Sequence, residues 1–223
     1  MKQKNIFIKE EANAWYERNK FFINNKSAND DPIFIALQSI DLKPKRILEI
    51  GCSNGWRLAM LAEHYNADCY GIDPSIIAIE EGNKIFPNLN LSVGTADCLP
   101  DMGPFDLVIF GFCLYLCDPQ DLFKIAADSN HLLANEGHIA ILDFNPPAEH
   151  YRNKYQHRTD VFSYKMNYGN MFCWHPSYLK IFEKTQNHDG SQKIEPDALI
   201  SVQILRKDSR FLSAQNPYIN GFL

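Results

Sequence analysis

The chain has 223 residues, 45% of them hydrophobic and 22% charged, with a formal net charge of −5; this suits one α/β domain with a sizeable core and excludes a disordered or fibrous chain. No apolar run reaches the length of a membrane span, and the opening MKQKNIFIKEE lacks the apolar stretch of a signal peptide, so a cytoplasmic protein without a membrane partner is expected. The acidic balance offers no basic stripe to neutralise phosphates, which disfavours a nucleic-acid partner. The six cysteines form no C-x-x-C pair, and they read as free thiols in a reducing compartment with no metal site.

Residues 5–40 carry apolar positions at helical spacing, among them Trp15, Phe21, Phe22, Phe34, Ile35 and Leu37, interrupted by SANDDP (Ser27 to Pro32). The apolar run Arg46–Ile50 before Gly51 predicts a buried strand, followed by a helix from about Gly55 to Tyr65 and a strand over Asp68–Ile72. A helix is expected from Asp73-Pro74-Ser75, with Asp73 able to cap it. Strands follow at about Leu89–Val93 and Asp106–Phe110. Asp118-Pro119 opens a helix expected to run to about Asn135 and close near Gly137, and His138–Leu142 is a fifth strand. This alternation predicts a mainly parallel sheet with helices on both faces. Residues 144–176 show no clear period, residues 177–187 look helical, Ala198–Lys207 reads as a late strand, and Asp208–Leu223 as a last short strand or a tail.

Three loops at strand ends carry the chemical signal. The first, Glu49-Ile50-Gly51-Cys52-Ser53-Asn54-Gly55, has the small residues that let a ligand approach the backbone. It fails as a dinucleotide loop, which would place glycine at Ser53 and glycine or alanine at Trp56. The second is Tyr70-Gly71-Ile72-Asp73-Pro74, where a carboxylate ending the second strand suits a pair of ribose hydroxyls as well as a helix cap. The third is Gly94-Thr95-Ala96-Asp97-Cys98, in which Asp97 is otherwise an ordinary turn residue.

In this order and spacing the loops, with Pro104–Phe112 after them, resemble the class I S-adenosylmethionine-dependent methyltransferases, small-molecule type. Their first loop reads acidic-x-G-x-G-x-G; here Ser53 stands for the middle glycine. The resemblance implies a Rossmann-like, doubly wound, mainly parallel seven-stranded sheet with an N-terminal helical cap and an irregular insertion after the fifth strand. It implies S-adenosyl-L-methionine as cofactor. Gly51, Cys52 and Ser53 would meet its methionine part through the loop backbone, with Glu49 supporting the loop and the ammonium group. Asp73, with Pro74, would meet the ribose, Asp97 and the backbone at Cys98 the adenine, and Phe110 and Gly111 would lie beside the cofactor. Tyr16, on the N-terminal helix, is a candidate for the closing lid. Asp143-Phe144-Asn145-Pro146-Pro147 is set aside as an amine-methylation motif, since it follows the fifth strand and ends in Ala148.

The expected organisation is a single domain over 1–223: a helical cap at 1–42, a cofactor-binding core at 43–143, a substrate-shaping insertion and helix at 144–187, and late strands with a tail at 188–223. Tyr115, His150 and His157 are the candidates for a general base, because they fall on loops near the carboxyl ends of the strands. The aromatic residues between Tyr151 and Tyr178 suit a small-molecule acceptor with both rings and hydroxyls. The expected reaction is O- or N-methylation of such an acceptor, a sugar nucleotide or a specialised metabolite. A non-catalytic adenosyl-cofactor-binding module and a methyltransferase of protein or tRNA stand as alternatives.

Overall fold

The computed structural model describes residues 2–147, 150–191 and 195–208. Strands β1 (Arg46–Ile50), β2 (Asp68–Asp73), β3 (Asn90–Val93), β4 (Phe105–Gly111) and β5 (Leu133–Phe144) alternate with α4 (Trp56–Tyr65), α5 (Ile76–Ile85) and α6 (Leu122–Leu132). Together with β8 (Tyr178–Asn187) and β9 (Leu199–Lys207) they form a seven-stranded sheet in the order β3-β2-β1-β4-β5-β9-β8. β1 to β5 pair in parallel, whereas β9 runs antiparallel to both β5 and β8. The expected Rossmann-like sheet is present, with its switch of strand order between β1 and β4.

The central strands are mostly apolar because both faces are covered, and the two-residue period sorts their side chains. Ile47, Leu107, Ile109, Ala140 and Leu142 pack on one face against Leu37, Leu58 and Leu61. Leu48, Ile50, Val108, Phe110, Ile139 and Ile141 pack on the other with Ile125, Leu132 and Phe172. The N-terminal region is helical, as expected: α1 (Gln3–Ile6), a π-helical turn at Phe7–Glu11, α2 (Ala12–Asn24), then a break and α3 (Pro32–Ser39). Asp31 caps α3, accepting from the Phe34 amide at 2.8 Å.

Three expected elements differ. Asp73 ends β2 and does not cap α5; Ser75 does, its hydroxyl accepting from the Ala78 amide at 3.1 Å. α6 stops at Leu132, and Leu133–Glu136 already belong to β5, with Glu136 at a left-handed φ of 63°. Residues 178–187 form a strand rather than a helix, because the open edge of β9 supplies backbone partners along its whole length. The aperiodic stretch after β5 contains an antiparallel hairpin, β6 (His150–Lys154) with β7 (Phe162–Met166), and a short helix α7 (Asn170–Cys173). The expected tail at 209–223 lies outside the described residues.

Candidate functional site

The carboxyl ends of β1 to β5 open into one cavity with two chambers. Both are bordered by Trp15, Gly51, Ser53, Gly111 and Phe112. The smaller chamber runs from this junction along Asp73, Pro74 and Gly94–Asp97 and is roofed by Lys4, Phe7 and Ala12. The larger runs toward Trp56, Tyr115, Phe144, the β6–β7 hairpin and His188.

The β1 loop is shaped by its backbone. Gly51 has φ +76°, and a Cβ there would lie 2.5 Å from Cys113 Cβ, so only glycine fits. Ser53, standing for the family's middle glycine, itself adopts a left-handed φ of 54°. Three amides of this loop are engaged inside the protein. Gly51 and Cys52 donate to the Ile72 carbonyl at 2.8 and 3.2 Å, and Ser53 donates to Asp73 at 2.8 Å. What the loop offers at the junction is the Ser53 hydroxyl, buried and without a partner among the described residues.

Asp73 also accepts from the Ser75 amide at 2.8 Å, so its two oxygens tie the β1 loop to the start of α5. A carboxylate has about four acceptor positions, which leaves capacity for two ligand hydroxyls. Burial pushes its carboxyl up to about 6. Asp97 lies on the wall of the same chamber, where burial would raise it but the Lys4 ammonium and the Thr95 hydroxyl hold it below the usual carboxylate range. Lys4 is part of a strap latched at several points. Lys2 pairs with Asp121 at 2.6 Å, and the Gln3 and Lys4 amides donate to Asp118 at 3.2 and 3.1 Å. The Gln3 side chain exchanges two 3.1 Å hydrogen bonds with the Phe162 backbone and donates to the Leu116 carbonyl at 2.6 Å.

Glu49 lies at the junction side of the larger chamber. Arg57 holds one of its oxygens and reaches Asp31 at 2.9 Å, while the other Glu49 oxygen is buried with no partner among the described residues. A single guanidinium shared by two buried carboxylates does not offset their desolvation, and Glu49 is pushed up to about 7. Gly111 makes room for this cluster, since a Cβ would meet Arg57 at 2.3 Å.

Of the residues singled out from the sequence, the cavity brings together Glu49, Gly51, Cys52, Ser53, Asp73, Pro74, Asp97, Gly111, Tyr115 and His157. It leaves out four. Tyr16 is fully buried with Ile23 and Ala78, and its neighbour Trp15 faces the cavity instead. Phe110 points to the α6 face of the core; two residues on, Phe112 borders both chambers. Cys98 is exposed, and its amide donates to the Thr95 carbonyl at 3.1 Å. His150 sits on the exposed side of β6, outside both chambers. Lys4, Lys26 and His188 are not singled out from the sequence, Phe144 is set aside with its motif, and Lys165 lies in the stretch expected to shape the acceptor pocket. His188 directly follows β8, so a strand reading of 178–187 would have placed it at a strand end.

Residues 47–137 match a family model described as a methyltransferase domain. The chain is 40% identical over 74 residues to a probable chloroplastic tocopherol O-methyltransferase of Oryza sativa subsp. japonica, covering 30% of this chain and 20% of that protein. It is 36% identical over 97 residues to ribosomal RNA small subunit methyltransferase A of Mesomycoplasma hyopneumoniae (strain 232), covering 41% and 36%. The chain thus spans well under half the length of these two curated relatives. Its fold is similar to that of a Burkholderia thailandensis 1,6-didemethyltoxoflavin-N1-methyltransferase with bound 1,6-didemethyltoxoflavin and S-adenosylhomocysteine. That similarity has a TM-score of 0.71 at 12% identity, over 92% of this chain and 89% of the other. Among the described residues no helix is long and apolar enough to cross a membrane.

Proposed function

We propose, on the premise that the chain belongs to the class I S-adenosylmethionine-dependent methyltransferases, that it methylates an oxygen or nitrogen of a small-molecule acceptor. The observation that carries this reading is the division of one cavity into two chambers meeting at Gly51, Ser53, Gly111 and Phe112. A reaction between two bound molecules needs such a junction, with water kept out and the reacting atoms aligned. When bound, the cofactor supplies an activated methyl group and a neutral thioether as leaving group.

The residues present fit an adenosyl ligand. Asp73 would accept the ribose hydroxyls, Asp97 would face the adenine end, and the Ser53 hydroxyl and free Glu49 oxygen offer polar atoms at the junction. The strap residues Lys4 and Phe7 would cover the smaller chamber. In the larger chamber burial raises the Tyr115 phenol, which keeps it a neutral donor that orients the acceptor rather than a base. His188 is held below its ordinary value by burial and by Lys165 and Lys26, so it is neutral at pH 7 and suited to receive a proton from a hydroxyl acceptor. A small-molecule acceptor is supported by the aromatic lining of the larger chamber, and the net charge of −5 argues against an RNA acceptor.

The test is methyl transfer from label-bearing S-adenosylmethionine into a metabolite extract and, in parallel, into total RNA and protein. Label in a low-molecular-weight product, lost with Asp73→Ala, is expected. Label only in RNA or protein would overturn the acceptor class. Once an acceptor is found, His188→Gln should lower kcat about 10²-fold for an oxygen nucleophile with little change in KM; an unchanged kcat would remove His188 as the base.

A further inference from the structure

The larger chamber, whose role as acceptor site rests on the methyl-transfer reading above, has rings already attended by cations of the chain itself. Lys26 Nζ lies 5.0 Å from the centroid of the Trp56 ring, and the Arg57 guanidinium carbon lies 4.7 Å from it. Lys165 Nζ lies 4.0 Å from the centroid of Phe144, a ring that also stacks with His188 at 5.7 Å and 24°.

These three cations are matched differently. Arg57 is held between Asp31 and Glu49, and Lys165 pairs with Asp197 at 3.0 Å. Lys26 makes no ion pair among the described residues. Lys26 is exposed at the mouth of the chamber, and partial desolvation and the nearby Arg57 push its ammonium below the usual value against the opposing pull of Asp31 and Glu49, which Arg57 already holds. A cationic acceptor would meet these like charges where it would otherwise seek the ring faces. A neutral ring would gain stacking alone. A planar molecule with an acidic group gains stacking and also gives Lys26 a direct ion-pair partner.

We propose that the acceptor is a ring-bearing organic anion, its planar body lying among Trp56, Phe112 and Phe144 and its acidic group meeting Lys26. Lys26 is then a specificity-determining residue for the class of molecule methylated.

The test uses three matched probes, naphthalene-2-carboxylate, 2-naphthylmethanol and 2-naphthylmethylamine, titrated into the full chain saturated with S-adenosylhomocysteine. The carboxylate is expected to bind about tenfold more tightly than the alcohol, with the amine weakest. Lys26→Met should shrink the carboxylate-to-alcohol ratio to about twofold and Lys26→Arg should largely restore it, with S-adenosylhomocysteine affinity unchanged in both. Equal binding of the three probes, or a preference for the amine, would overturn the proposal. So would a ratio indifferent to Lys26→Met, or a Lys26→Met protein that loses S-adenosylhomocysteine, which would place Lys26 at the cofactor. Wild-type protein that binds no S-adenosylhomocysteine would instead bring down the methyl-transfer reading, and this inference with it.

Discussion

At Gly51 two constraints meet. Its φ of +76° and the 2.5 Å that would separate an added Cβ from Cys113 act together. Gly51→Ala should therefore cost about 2 to 4 kcal/mol, read as a fall in melting temperature of roughly 4 to 16 °C for a domain of this size. An unchanged melting temperature would show that the turn relaxes. Buried carboxylates give a second residue-scale prediction. Burial raises Asp143 to about 7, although its oxygens accept from the Leu114 and Phe144 amides at 3.0 and 2.8 Å. A raised folded value means that the native state keeps a proton that the unfolded chain releases between about pH 4 and 7, so this contribution to stability is present at acid pH and lost as pH rises through about 7. Melting temperatures of wild type and Asp143→Asn between pH 5 and 7.5 should show a smaller fall with rising pH in the variant; parallel curves would contradict the assignment. Asp73 is legible in the sequence as a candidate because its place at the end of β2 follows from local pattern. Its contact with the Ser53 amide is not, since that depends on the β1–β2 register.

The N-terminal strap is the element on which closure of the smaller chamber depends. Gln3 satisfies both backbone groups of Phe162 and the Leu116 carbonyl. Gln3→Ala leaves these groups without their partner, and a loss of about 1 to 3 kcal/mol is expected, together with faster amide exchange over residues 2–11 in hydrogen-exchange mass spectrometry. Exchange as slow as in wild type would mean that the Lys2, Lys4 and Asp118 contacts suffice. Other elements show where sequence reading stops. β1, β4 and the second half of β5 are mostly apolar runs, and a strand covered on both faces writes itself that way. β8 has charged residues at Lys180, Glu183 and Lys184 and an exposed edge, and only its pairing with β9 makes it a strand. The early end of α6 has a similar origin: Leu133 pairs with Phe105 of β4, and this long-range contact wins over local helix propensity.

Across the whole molecule, the two chambers differ in how they are encoded. The smaller is built from consecutive strand-end loops of β1 to β4, each a short segment with its own signature, so most of its wall is visible in the sequence. The larger is assembled from α2, the β4 and β5 ends, the β6–β7 hairpin and the residue after β8, segments brought together only by the completed sheet. Its residues Lys26 and His188 therefore carry no local mark. The central claim, that the smaller chamber takes an adenosyl cofactor held at Asp73, is tested most directly by calorimetry of S-adenosylhomocysteine and NAD with wild type and Asp73→Ala. S-adenosylhomocysteine is expected to bind wild type and NAD is not, and Asp73→Ala should weaken binding about 10²-fold through loss of two charge-assisted hydrogen bonds. Binding of NAD alone, or S-adenosylhomocysteine affinity indifferent to Asp73, would contradict it.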